Sequence, residues 1–148
     1  MPENTAIATV ENNAIAPAID FNIPEGFICT VDTSTDAGAI NAANALGAAL
    51  SMSNYIDDNK KNDFVVVDVI TKPGIRAVSN DPCTDVILIL DDGTCLFTQS
   101  EGIHNSVQFM VAACGLEKIH RGVHVEVSEI KTRGGNSLKQ LKMLGFAS

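Results

Sequence analysis

The sequence predicts a mainly β fold, a small closed or partly open barrel of about five or six strands with one or two short helices. Three observations lead to this prediction. Short stretches rich in β-branched and aromatic residues are separated by tight-turn signals. A single stretch between the later strands has a clear helical period. The 148 residues are 45% hydrophobic and 19% charged, which is typical of one packed domain.

The central part of the chain combines a hairpin with a helix. Apolar runs at Val86–Leu90 and Cys95–Thr98 flank a turn that ends in Asp92-Gly93, and Asp-Gly tolerates the positive φ of a tight turn. Ser100 can accept a backbone N–H as the N-cap of the helix that follows, and Gly115 should end that helix.

The N-terminal part has weaker patterns. Residues 1–22 mix Ala, Asn and Glu without a clean period, so we expect a flexible arm or an added edge strand, and we assign residues 23–148 to a single barrel domain. The Ala- and Asn-rich segment 36–51 should form a helix, although a looser connection remains an alternative. The apolar face of that helix would comprise Ala39, Ile40, Ala43, Leu46, Gly47 and Leu50. The polar run Asp57–Asp63 is typical of a solvated loop.

Two further strand regions complete the fold. Phe64–Lys72 should be a strand with Val65, Val67 and Val69 on one face, and Pro73-Gly74 should break it. Near the C-terminus, an alternating strand with Val123, Val125 and Val127 inward leads to a glycine-rich tip. The return stretch repeats leucine every third residue, which suits a bulged strand or a short helix. Short strands with one helix before the last hairpin favour an OB-fold.

Charge is distributed unevenly along the chain. Residues 1–117 hold four basic and sixteen acidic residues, a net charge of −12, whereas residues 118–148 hold six basic and two acidic residues, a net charge of +4. A chain with a net charge of −8 is a poor match for a polyelectrolyte binder of duplex DNA. It is compatible with a protein that gathers its few cations on one face.

The candidate binding residues are cations on predicted loops and hairpin ends. They are Lys72, Arg76, Lys131, Arg133, Lys139 and Lys142. In an OB-fold such loops flank the strand face that follows a nucleic-acid backbone, although the same cations could form an ordinary solvated surface. Stacking residues are scarce, because the chain has no Trp and one Tyr. Tyr55, Phe64 and Phe97 are the nearest candidates, although the core is the favoured location for Phe64 and Phe97. Of these, Tyr55 and Phe97 are assigned to the binding surface.

The sequence offers no enzyme signature. It lacks G-x-S-x-G, H-E-x-x-H, a P-loop and G-x-G-x-x-G, and its three histidines have no sequence-local nucleophile. The four cysteines are scattered without C-x-x-C spacing, which favours free thiols over a zinc site or disulfides. We therefore expect no catalytic residues, no cofactor and no metal.

The block DGTCLFTQSEGIHNSV, followed by a helix and a closing hairpin with EIKTRGGNSLKQLKM, resembles small single-stranded DNA-binding proteins encoded by bacteriophages. The resemblance covers roughly residues 60–146 and rests on Asp92-Gly93, Gln99-Ser100, Gly102-Ile103 and the stretch from Lys131 to Lys142. It implies an OB-like fold, sequence-independent binding of single-stranded DNA during replication, and phosphate contacts by the six cations.

The resulting functional hypothesis is a protein that binds single-stranded DNA, coats and protects template strands, and has replication proteins as further candidate partners. A structural or partner-binding barrel, such as a virion accessory protein, is the main alternative, and an enzyme with an unrecognised site is a weaker one. No apolar run is long enough to span a membrane, and no signal peptide is evident. We expect a cytoplasmic protein, in the host cell if a phage encodes it, and a homo-oligomer is compatible with the sequence.

Overall fold

The computed structural model describes residues 27–131 and 137–147, which form three helices and one seven-stranded sheet. The predicted arm at residues 1–22 and the glycine-rich tip lie outside the described residues. The elements in chain order are β1 (Ile28–Cys29), α1 (Asp36–Ala48), β2 (Leu50–Ser51), α2 (Met52–Asn59), β3 (Asp63–Ile75), β4 (Pro82–Leu90), β5 (Cys95–Thr98), α3 (Glu101–Arg121), β6 (Val123–Lys131) and β7 (Ser137–Phe146).

The long strand β3 is the centre of the sheet. The strands follow the order β2, β5, β4, β3, β6, β7, and all neighbours are antiparallel except β2 and β5. On one side β3 pairs with β4 over most of its length. On the other side it pairs first with β6, through residues 63–66, and then with β1, through Ile70 and Thr71.

The prediction of a mainly β fold with helices is confirmed, whereas the barrel is not, because the described sheet does not close. The two ends of the described sheet, β2 and β7, do not pair with each other. Helices lie between these ends instead. The Lys139 ammonium on β7 donates a hydrogen bond to Ser53 Oγ on α2, at 3.0 Å, and β7 packs against α3. Strand β2 has only two residues, which is too short an edge to pair with β7 and close a barrel. The sheet stays open, and α2 and α3 cover one of its faces.

A β-bulge in β3 determines which side chains face which core. Val66 pairs with Leu90 and Asp68 with Ile89, so Val67 is an extra residue on β3. The bulge reverses the alternation of the strand, and Val66 and Val69 therefore enter the same hydrophobic cluster. The predicted face of Val65, Val67 and Val69 was wrong because it assumed an unbroken period of two.

Two hydrophobic cores lie on the two faces of the sheet. One lies between the sheet, α2 and α3 and includes Leu88, Leu96 and Ile103, which are fully buried. The other lies under α1. Its helical contribution comes from small buried side chains, Ala42 and Ala45. Small residues let a helix approach a sheet closely.

The predicted apolar face of α1 is therefore wrong. Ile40 and Leu46 remain 59% and 41% exposed, and Ala43 is also exposed, while Ala42 and Ala45 are buried. Helical periodicity predicts that the large apolar residues face the sheet. The helix instead packs on the sheet through small alanine side chains, which allow a close approach.

The helix boundaries confirm several local predictions. The side chain of Ser100 accepts a hydrogen bond from the backbone N–H of Ile103, as expected of an N-cap. Gly115, with φ of 79°, interrupts α3 where the sequence predicted its end, and a further helical segment continues to Arg121. Helix α2 was not predicted. Its apolar residues Met52 and Tyr55 pack against the core, although the polar residues after them resemble a loop.

The strand predictions are partly confirmed. The central hairpin forms, closed by a hydrogen bond of 2.8 Å from Leu90 N to Thr94 O. The return strand β7 is a bulged strand, as one reading of its leucines predicted, with Leu144 as the extra residue. β3 continues through Pro73-Gly74, because Pro73 pairs with β4 where the described residues place no strand on its other side.

None of the described helices combines the length and the apolar character needed to cross a membrane.

Two glycines make a matched test of the packing. A methyl group on Gly102 would overlap the carbonyl oxygen of Lys139, whereas one on Gly47 would meet open space. We expect Gly102→Ala to lower the free energy of unfolding by about 1–3 kcal/mol through overpacking. Gly47→Ala should raise it by up to about 1 kcal/mol, because alanine favours the helix. Urea unfolding measures both values, and a stable Gly102→Ala variant would contradict the close approach of α3 and β7.

Candidate functional site

A buried carboxylate joins the predicted cation Lys72 to the start of α3. The Lys72 ammonium lies 2.8 Å from Asp85 Oδ2, and the Gln99 amide donates to Asp85 Oδ1 at 2.8 Å. The side chain of Asp85 is 9% exposed. It lies directly over Gly74, where a methyl group would overlap the carboxylate. The network holds the end of β3, the start of β4 and the loop before α3 in one arrangement.

An open polar cleft lies beside this network, with a volume of about 610 Å³. Its lining residues come from the β3–β4 turn, the start of β4 and the first turn of α3. They are Arg76, Asp81, Pro82, Cys83, Thr84, Gln99, Glu101, His104 and Asn105. Arg76 Nη2 donates to the backbone carbonyl of Gln99 at 3.2 Å, which fixes the guanidinium at the cleft wall. We call this the α3 cleft.

The second group of predicted cations lies on β7. Lys139 is half-buried, donates to Ser53 and pairs in register with Glu129. Lys142 is exposed and pairs in register with Glu126. Each lysine therefore has an acidic cross-strand neighbour that lowers the local positive potential.

The first turn of α3 lies between the α3 cleft and the backbone of β7. Gly102 packs directly on the backbone of Lys139, and the Ser106 hydroxyl accepts a hydrogen bond from Leu141 N at 3.1 Å. On another face of the same turn, His104 and Asn105 line the α3 cleft. Arg76 and the backbone of Lys139, 63 positions apart in sequence, thus lie on two sides of one helical turn.

The two predicted stacking residues are packed rather than free. Tyr55 makes an edge-to-face contact with Phe64, with ring centroids 6.3 Å apart. Phe97 is half-buried in the cluster beneath α1. Arg133 lies outside the described residues, and Lys131 is described only through its backbone at the end of β6.

The sequence reading missed Asp85 and the cleft residues His104 and Asn105 as parts of this site. A signal for Asp85 exists, since a carboxylate in a strand otherwise made of apolar residues needs a partner. The partner itself cannot be read from the sequence, because Lys72 and Gln99 are distant along the chain. Only the resemblance, through Gln99-Ser100, indicates a role for Gln99.

Two histidine–aspartate pairs lie elsewhere in the sheet. His124 Nε2 donates to Asp63 Oδ2 at 2.8 Å, and this hydrogen bond lowers the pKa of Asp63. His120 Nε2 lies 2.9 Å from Asp68 Oδ1 and 2.8 Å from the carbonyl of Thr30. Burial raises the pKa of Asp68 in spite of hydrogen bonds from Thr30 and His120. The contacts of Asp68 join α3 and the residue after β1 to the bulge of β3.

The arrangement can bind a polar planar group, although the carboxylates of Asp81 and Glu101 lie in the same cleft as Arg76. Arg76 supplies charge and a planar guanidinium, and Asn105 supplies an amide with donor and acceptor atoms. Among the described residues, no three His, Cys, Asp or Glu side chains are placed to hold a metal ion.

No protein-family model, curated protein or solved structure matches this chain.

Lys72 and Lys142 test which lysines stabilise the fold. Lys72→Ala leaves the buried Asp85 carboxylate without its counter-ion, so we expect the free energy of unfolding to fall by about 1–3 kcal/mol. The exposed Lys142 is the control, and Lys142→Ala should change stability by less than about 0.5 kcal/mol. Equal effects of the two substitutions in urea unfolding would contradict the structural role of Lys72.

The two aspartates should give opposite pH dependences. Asp63 has a lowered pKa, so its contribution to stability is full above the ordinary value of 3.8 and is lost as pH falls through the lowered pKa. Asp68 has a raised pKa, so its contribution is full below 3.8 and is lost as pH rises through the raised pKa. Urea unfolding of the wild type, Asp63→Asn and Asp68→Asn between about pH 3 and pH 7 measures both differences. Slopes of the same sign would refute the assignment.

Proposed function

We propose that this protein binds single-stranded DNA without sequence preference and coats template strands during replication, as phage proteins of this kind do. One observation carries the proposal: the first turn of α3 lies between the cleft that Arg76 lines and the backbone of Lys139 on β7. A chain of nucleotides is a ligand that can contact several separated cations at once.

The number of available cations limits the electrostatic part of binding. Of the six predicted cations, Lys72 is neutralised by Asp85, so Arg76, Lys139 and Lys142 are the phosphate-contact candidates whose side chains the structure describes. Each neutralised phosphate of a single strand contributes about −0.7 to the slope of log K against log salt. Three contacts therefore predict a slope of about −2, with Lys131 and Arg133 as further contributors.

The residues behind the resemblance have contacts that fit this function. Gln99 fixes the loop beside Arg76 through Asp85, and Gly102 lets β7 approach α3. Gln99 therefore fixes the loop next to Arg76, and Gly102 sets the distance between α3 and the strand that carries Lys139. A resemblance that rested on surface composition alone would not require residues in these structural positions.

A partner-binding protein is the second candidate, and exposed apolar side chains favour it. Leu138, Met143, Leu144 and Phe146 on β7 are 37–49% exposed. Apolar groups on an edge strand can serve protein contacts. The same strand also carries Lys139 and Lys142, and charged edge residues oppose strand pairing.

Charge reversal at both cation groups tests the proposal. We expect Arg76→Glu with Lys142→Glu to weaken binding to oligo-dT by about ten- to a hundred-fold, because each change replaces attraction to phosphate by repulsion. Lys60→Glu with Lys61→Glu is the control, since both lysines are exposed in the turn before β3 and the net charge changes equally. Fluorescence anisotropy of a labelled oligonucleotide measures the affinities.

Equal losses in the two double variants would mean that only net charge matters, which would contradict a site at α3. A partner-binding protein would show no retention of single strands by the wild type, and substitution of Met143 and Leu144 by serine would then affect its assembly.

A further inference from the structure

We propose that Phe109 is a platform on which a nucleobase of the bound strand stacks, continuous with the α3 cleft. The inference rests on the proposed function and adds the residue that contacts the bases. Phe109 is 73% exposed on α3, which makes it the most exposed aromatic side chain among the described residues. A phenylalanine so exposed loses most of the free energy that burial would supply.

The position of Phe109 connects it to the cleft. It follows Asn105, a cleft residue, by four positions, and residues at this spacing lie on the same side of a helix. The step corresponds to about 6 Å along the helix axis. A strand whose phosphate meets Arg76 can therefore extend along α3 and place a base over the Phe109 ring.

The other aromatic rings considered for stacking already contact protein groups. Tyr55 packs edge-to-face on Phe64, and Phe97 belongs to the cluster under α1. Phe146 is 49% exposed, but the Lys118 ammonium lies 5.8 Å from its ring centroid. Base stacking on an aromatic ring tolerates every sequence, which fits a binder without sequence preference.

The contributions of bases and phosphates to the affinity can be measured separately with two oligonucleotides. An oligo-dT presents both groups, whereas an abasic oligonucleotide of equal length presents the phosphates alone. Phe109→Ala should weaken binding to oligo-dT by about five- to thirty-fold and leave binding to the abasic strand unchanged. Because the side chain is exposed, the urea midpoint should stay the same. Phe109→Tyr should restore the affinity, and Phe109→Leu should not.

A spectroscopic measurement tests contact directly. The chain contains no tryptophan, so Phe109→Trp introduces a single reporter, with Phe146→Trp as the matched control. We expect oligo-dT to quench the fluorescence of the first variant and not of the second, while anisotropy shows that both bind.

Binding by anisotropy without quenching at position 109, or equal losses on oligo-dT and abasic strand in Phe109→Ala, would overturn the stacking role and leave the proposed function intact. Absence of any oligo-dT binding by the wild type would overturn both.

Discussion

The β-bulge at Val67 is the constraint on which the fold depends. β3 pairs with three strands and is covered by α3 on one face and by α1 on the other. Without the extra residue, Val66 and Val69 would face opposite sides of the sheet, and one of the two clusters would lose a fully buried valine. The bulge also places Asp68 where His120 and Thr30 reach it, so the C-terminal part of α3 and the strand β1 are attached at the same point.

The candidate site is built at the other end of β3 by a buried charge. Asp85 holds Lys72 and Gln99, and the Gln99 carbonyl in turn holds Arg76 at the cleft. A buried ion pair contributes little net stability, but it fixes geometry because breaking it leaves a charge without a partner. The surface that results combines few cations, nearby carboxylates and one exposed ring. Such a surface favours short-range contacts with a flexible strand over long-range attraction to a rigid duplex.

Local features could be predicted from the sequence because neighbouring residues determine them. The N-cap Ser100, the break at Gly115 and the central hairpin depend on contacts within a few positions. Features that depend on tertiary packing could not. The bulge changes which side chains of β3 share a face of the sheet. Helix α1 packs on the sheet through Ala42 and Ala45, and Ile40 and Leu46 stay exposed. In the site, the sequence predicted Arg76, which lines the α3 cleft. The pairing of Lys72 with Asp85 and the exposure of Phe109 could not be predicted, because they depend on contacts between residues distant in sequence.

Whether the protein binds single strands is decided by fluorescence anisotropy of a labelled oligo-dT of about 30 nucleotides, titrated with the wild-type protein at low and moderate salt. A duplex of equal length is the control. We expect micromolar or tighter binding to the single strand, weaker binding to the duplex, and a salt dependence that corresponds to a few phosphate contacts. Absence of binding at low salt, or a preference for the duplex, would contradict it.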